Sequence, residues 1–374
     1  MNYIIGSGFS GLTVAYALYK KGIKSIVISP ADKIKKKNSS ILNLIFKNNG
    51  EIFNNSHSLT NEIKKINNSN IKDCKYIISH LDGGQSNIWG GVVGSFYDYD
   101  LKKFLVKRKE FLKNSILFKK LLKIIGIKSA NFFAATKNNS FSLNEKSYQV
   151  SKKNVSNLKK FLKSKNIQFL SNYYVKKIDA KKSLIKVHDL SSKKEIEIKY
   201  ENLFLSCGPI ETSKLVLNSF SKIKKITLKE TRHFYAIVKL KNKIKSRFLS
   251  INLNNFKFSS QLYSLTNIMG IFFKKYFKNV NYNEKNKYFI SQCYLEQDYS
   301  GIIEISKKNN QIKVKGVENK RFKIKKFLEK LTLFNKENKF LEIKKIFFNQ
   351  IGSSNHLGAS IPMTNNKSLK LGVN

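Results

Sequence analysis

The sequence predicts an α/β protein, α+β overall, in which a parallel sheet flanked by helices is joined to a second unit built on an antiparallel sheet with helices. Three observations carry this. The apolar run Tyr3 to Ile5 passes through glycines into a segment with helical spacing and then into a second β-rich run, Ser25 to Ile28. Short apolar strands recur between 166 and 205 and stop at Cys207-Gly208. Alternating apolar and polar runs fill 232 to 318, the pattern of an antiparallel sheet with one wet face.

The elements follow in order. Leu12, Ala15, Tyr16 and Tyr19 give Leu12 to Lys21 helical spacing, and Gly22 stops that helix, so residues 2 to 29 form the opening βαβ unit. Residues 33 to 75 are polar, rich in Lys, Asn and Ser, and carry no clear period. Tyr76 to Leu81 lead into a glycine cluster, and 101 to 126 reads as helix ending at Gly126. Gln168 to Leu170, Leu184 to Val187, Glu195 to Ile198 and Leu203 to Leu205 read as a small meander that returns to the parallel sheet. A helix begins over Glu211 to Leu217. Strand patterns occupy His233 to Leu240, Tyr288 to Leu295, Gly301 to Ile305 and Gln311 to Val314, and a helix covers about Phe322 to Phe334. No repeat is present, and with proline only at Pro30, Pro209 and Pro362 the linkers are unmarked by composition. The expected division is a first unit over 1–219 with a helical insertion at about 95–150, a second over 220–345, and a return to the first over 346–374.

Composition narrows the function classes. With 374 residues, 41% hydrophobic and 12% aromatic, the chain can bury a large core and is too apolar to be disordered. The net charge of +47 invites a nucleic-acid reading, but only Arg108, Arg232, Arg247 and Arg321 are arginines. Phosphate and base recognition favours arginine's planar fork, whereas a Lys, Asn and Ile excess spread along the chain points to coding bias, so no specific nucleic-acid partner is expected. Cys74, Cys207 and Cys293 are odd in number and far apart, which indicates neither a disulfide framework nor a metal site. A reducing, cytoplasmic location is expected. No signal peptide is expected before the first strand, and the apolar run Ile268 to Phe273 is too short to span a bilayer.

The sharpest local signal is Gly6-Ser7-Gly8-Phe9-Ser10-Gly11, a G-x-G-x-x-G pattern between a strand and a helix. The first glycine permits the turn, the second lets backbone approach a pyrophosphate, and the third allows helix and strand to pack closely. The acidic residue expected for ribose hydroxyls falls at Ser29, which can still hydrogen-bond, with Asp32 as a substitute. A second cluster, Gly83-Gly84-Gln85-Ser86-Asn87-Ile88-Trp89-Gly90-Gly91, holds the single tryptophan. Glycines there imply backbone lying close to a flat or charged group, against the plainer reading of a surface turn with a packing Trp.

Together these two clusters resemble the flavin-binding part of the glucose-methanol-choline oxidoreductase family, in particular its bacterial sugar and alcohol dehydrogenase branch. Three further segments agree in order: Leu203 to Ser219 with Cys207-Gly208-Pro209, Tyr299 to Val317, and His356-Leu357-Gly358-Ala359-Ser360-Ile361-Pro362-Met363. The resemblance implies a Rossmann-like FAD-binding domain beside a substrate domain. It places FAD on Gly6, Gly8, Phe9, Ser10, Gly11, Ser29, Gly83 to Asn87, Trp89, Gly90, Gly91, Cys207 and Gly208. It also implies His356 as the base that takes a proton from a small-molecule alcohol or sugar while hydride passes to flavin N5, with Asn355 orienting substrate or ring. Relatives that attach flavin covalently carry a His where this chain has Ile88, so FAD is expected to be non-covalent. The family runs on past its catalytic motif to a segment closing the flavin site, whereas this sequence stops at Asn374, which suggests truncation or a shortened variant. The alternative is therefore a silent or incomplete flavin-binding protein. Neither substrate nor electron acceptor is legible.

Overall fold

The computed structural model describes residues 1–30, 62–63, 65–76, 78–87, 92–94, 116–117, 120–127, 129–130, 147–240, 248–253, 258–264, 287–295, 299–320, 323–337, 341–354 and 357–358. Four short strands, Asn2–Ile5, Ser25–Ile28, Gln168–Leu170 and Asn202–Leu205, form a sheet in which every neighbouring pair is parallel. Their order across the sheet is 202–205, 2–5, 25–28, 168–170. Its two central strands are covered on both faces, which is why NYII and SIVI are nearly unbroken apolar runs.

One face is covered by the helix Phe9–Lys20, which buries Leu12, Ala15 and Tyr16, and by the helix Lys152–Ser164 through Val155, Leu158 and Leu162. The first helix stops where expected: Gly22 N–H donates to Tyr19 O and Ile23 N–H to Leu18 O, a Schellman closure. The second begins on a capping box, with Asn154 N–H donating to Ser151 Oγ and Ser151 N–H to Asn154 Oδ1.

On the other face, Tyr3, Ile5, Ile26 and Ile28 pack against a three-stranded antiparallel sheet of Tyr173–Asp179, Leu184–Asp189 and Glu195–Lys199. Two strands of the meander read from the sequence, 184–189 and 195–199, belong to this sheet, which leads into the strand Asn202–Leu205. Gln168–Leu170, read as the meander's first strand, instead pairs in parallel with Ser25–Ile28 at the edge of the parallel sheet. The first strand of the antiparallel sheet, Tyr173–Asp179, escapes a reading by alternation because Lys176-Lys177 breaks the period of two. The chain absorbs the extra residue as a register shift between Val175 and Lys177.

The helix Pro209–Ser219 lies between two layers. Leu215 packs toward the meander side, while Ile210, Val216 and Leu217 pack on a five-stranded sheet ordered 357–358, 225–230, 302–308, 311–317, 69–72. That sheet is antiparallel except where Ser69–Lys72 pairs in parallel with Gln311–Val317. A second five-stranded sheet, wholly antiparallel, runs 248–253, 258–264, 288–295, 233–240, 341–348. The helix Ile324–Glu337 sets Phe327 edge-on to Phe234 and Phe348 of that sheet. A small sheet joins 92–94, 147–149 and 129–130.

The described chain is thus a mixed α/β structure with parallel and antiparallel sheets and few helices. Of the helix expected over 101–126, residues 116–117 and 120–124 are described and are helical. No helix among the described residues is long and apolar enough to cross a membrane.

Candidate functional site

A cavity of about 310 Å³ opens at the carboxyl ends of the parallel strands. Gly6 follows strand 2–5, Ser29 follows 25–28, Ser206 follows 202–205, and all three line it. Backbone hydrogen bonds hold these crests in place: Gly6 N–H to Ile28 O at 2.8 Å, Ser206 N–H to Ile5 O at 2.8 Å, and Ser29 N–H to Leu170 O at 2.9 Å. The chain leaves strand 2–5 in one direction across the sheet and returns on its other side at 202–205. This reversal of strand order opens a crevice where open α/β sheets bind ligands.

Two helices begin at this cavity. Gly8 caps Phe9–Lys20 and Gly208 caps Pro209–Ser219, and neither end has a side-chain cap. Each therefore turns the positive end of its dipole toward the cavity with no capping side chain in between. Gly208 sits at φ 80 and ψ 159, a region essentially open to glycine alone.

The three glycines of the first motif have different reasons to be glycine. Gly6 has φ +111, and a Cβ on it would lie 2.4 Å from the Ser206 carbonyl oxygen. A Cβ on Gly11 would lie 1.9 Å from the Gly6 carbonyl oxygen, so helix and strand touch there. Gly8 has φ −69 and ψ 175, which any residue adopts, and the nearest atom to a Cβ on it is Gly83 O at 3.7 Å, an ordinary contact. Neither this conformation nor packing among the described residues requires glycine at this position.

The two glycine clusters meet. A Cβ on Gly84 would come within 3.3 Å of Gly8 Cα, and Gly84, Gln85 and Ser86 line the cavity beside Ser7, Phe9 and Ser10. Gly84–Asn87 form a short 3-10 turn, with Ser86 Oγ donating to Gly83 O at 2.6 Å. Just before it, Asp82 accepts a 2.6 Å hydrogen bond from Lys159 Nζ, which ties this wall to the helix Lys152–Ser164.

The structure therefore brings together Gly6, Gly8, Phe9, Ser10, Ser29, Gly84, Gln85, Ser86, Cys207 and Gly208 around one space. Gly11 lies behind Gly6, and Gly83 lies against Gly8. Trp89, Gly90, Gly91, Asn355, His356 and Asp32 lie outside the described residues.

Sequence reasoning missed a buried polar cluster in the cavity wall. Glu211, about one-twentieth exposed, accepts from Lys214 Nζ at 2.7 Å and from Tyr174 Oη at 2.9 Å. Tyr174 Oη in turn accepts from Asn67 Nδ2 at 2.6 Å. His80 Nε2 stands 3.9 Å from Glu211 Oε1. Burial alone would raise the Glu211 carboxyl, but the Lys214 ammonium and His80 outweigh it and hold the group well below the usual carboxylate range. Burial, reinforced by the Glu211 charge, pushes the Tyr174 hydroxyl far up. The Cys207 thiol, 3.3 Å from Thr212 Oγ1, is pushed up to about 11 by burial, so it stays protonated near neutrality. Only the i, i+3 spacing of Glu211 and Lys214 was visible in advance.

Two helix N-termini, serine hydroxyls and apolar side chains thus border one cavity, which suits a ligand that carries negative charge beside apolar surface. No known protein-family model matches the chain, and no curated protein matches it significantly.

Proposed function

We propose that this cavity holds FAD non-covalently, with the pyrophosphate against the start of helix Phe9–Lys20, and that the chain oxidises a hydroxyl-bearing carbon of an alcohol or sugar. The parallel sheet and its glycine turn then act as a Rossmann-like unit, in keeping with the resemblance to the glucose-methanol-choline oxidoreductases. One observation carries the reading. Gly8 is glycine although neither its backbone angles nor its neighbours among the described residues ask for one, and a ligand lying against its Cα supplies a reason.

Each residue has a task in this reading. The positive dipole end of Phe9–Lys20, which has no capping side chain, neutralises phosphate charge. Ser29 offers its hydroxyl to the ribose in place of a carboxylate. Glu211 is compensated internally by Lys214, so the wall adds no unbalanced negative charge beside an anionic ligand. When bound, the flavin supplies the hydride acceptor. His356 takes the hydroxyl proton of the substrate, and Asn355 helps to orient it.

The test is anaerobic. The flavin-loaded protein is mixed with a panel of alcohols and sugars while its visible absorbance is followed. Bleaching by at least one compound, slowed by roughly 100-fold or more in His356→Ala, is the expected result. A protein that stays yellow with every compound is a silent flavoprotein, and the oxidation is then wrong.

A further inference from the structure

The five-stranded sheet 357–358, 225–230, 302–308, 311–317, 69–72 packs its inner face on helix Pro209–Ser219, and among the described residues the charged side chains of its outer face are nearly all lysines. Alternation along the strands sends Ile226, Leu228, Ile303, Ile305, Ile312 and Val314 inward. The exposed positions between them include Lys72, Lys225, Lys229, Lys308, Lys313 and Lys315. The one carboxylate among the described positions of this face, the half-buried Glu304, is engaged by Lys225 at 2.9 Å. Lys315 lies in register with Lys72 on one neighbouring strand and with Glu304 on the other, so the single carboxylate sits among three lysines.

Composition alone does not produce this. In the meander sheet of the same lysine-rich chain, Lys176 pairs with Glu195 and Lys186 with Glu197 across the strands. One exposed sheet is charge-balanced and the other is not.

We propose that this face docks the protein on an anionic lipid surface. The inference goes beyond the flavin reading and does not depend on it. The charge is complementary to acidic headgroups, and lysine supplies point charges suited to them without the planar fork used for bases. Duplex nucleic acid fits less well, since its major groove admits a helix or a two-stranded ribbon rather than the face of a broad sheet. Single strands need stacking platforms, and the described positions of this face carry no aromatic side chain.

The experiment is co-sedimentation of the full chain with vesicles of phosphatidylcholine alone or mixed with phosphatidylserine. Two charge-reversed variants of equal net charge are compared: Lys72, Lys229, Lys313 and Lys315 each replaced by Glu, and the exposed control set Lys153, Lys160, Lys181 and Lys199 each replaced by Glu. The proposal expects binding only to the phosphatidylserine vesicles, loss of that binding at about 1 M salt, and affinity weaker by roughly 100-fold in the face variant but little changed in the control. Equal loss in both variants, or none in either, overturns it, as does binding of duplex DNA by this face in the absence of vesicle binding. Should the fourfold variant fail to fold, Lys72→Glu alone decides. Lys72 is exposed, so the change should leave the melting temperature close to that of the parent while the acidic vesicles are bound several-fold more weakly. Unchanged binding by that variant contradicts the proposal.

Discussion

Gly84 packs against Gly8, so that a Cβ on the one would fall 3.3 Å from the Cα of the other. Through this contact the first helix start and the 3-10 turn Gly84–Asn87 form one continuous wall, held from behind by Asp82 and Lys159. Glycines far apart in sequence thereby border the same space.

The three glycines of the first motif should separate on substitution. Gly11→Ala forces a methyl into the Gly6 carbonyl and is expected to cost ~3 kcal/mol or more, and Gly6→Ala adds backbone strain to a clash with Ser206. Gly8→Ala meets only an ordinary contact and should change stability by less than about 0.5 kcal/mol. Urea unfolding curves of the three variants provide the check. Equal destabilisation by all three would mean that Gly8 is a structural glycine after all.

The buried ion pair should behave as a unit. Lys214→Met leaves the Glu211 charge without its ammonium and is expected to cost about 3–5 kcal/mol, whereas Lys214→Met combined with Glu211→Leu should cost less than the single change. A double-mutant cycle measures the coupling.

Acid should weaken the same interaction. The folded carboxyl of Glu211 is depressed relative to its unfolded value of ~4.3, so its contribution is fully present above that pH and is lost as pH falls toward the folded value. The stability gap between the parent and Glu211→Gln is therefore expected to be constant above about pH 5 and to narrow progressively below about pH 4. A gap that widens in acid would reverse the sign.

Tyr174→Phe removes the hydroxyl that joins Asn67 to Glu211 and leaves both buried groups one partner short. A loss of about 1–3 kcal/mol is expected, read from the thermal or urea midpoint. A neutral result would show the hydroxyl to be replaceable by water.

Cysteine reactivity follows burial. Burial pushes the Cys74 and Cys207 thiols up to about 11 and Cys293 up to about 12. Native protein at pH 8 should react with a thiol reagent far more slowly than unfolded protein does, because the thiolate is the nucleophile. Rapid labelling of Cys207 in the folded chain would place a thiolate in the cavity and contradict this.

Local pattern made the first unit legible. The sequence Tyr3-Ile4-Ile5, the glycine turn, the helical spacing and the Gly22 stop each appear in the structure within a few residues of their expected places. The strands 184–189, 195–199 and 202–205 were readable from their short apolar or alternating runs, whereas 173–179 was hidden by its broken period and 168–170 was read into the wrong sheet. The sequence did not reveal that 202–205 lies beside 2–5, since parallel partners are set by packing across most of a domain rather than by neighbours in the chain. The helix Lys152–Ser164 was hidden because lysines crowd its apolar stripe of Val155, Leu158 and Leu162. The Glu211 cluster was hidden for the same reason as the sheet order: Asn67, His80 and Tyr174 arrive from three separate segments.

The most direct test of the central claim is titration of the intact, folded protein with FAD, followed by flavin fluorescence and repeated on Gly8→Ala. The account predicts saturable one-to-one binding that weakens by about tenfold or more in the variant while its melting temperature is unchanged. A folded parent protein that retains no flavin, or a variant that binds FAD as tightly as the parent, would contradict it.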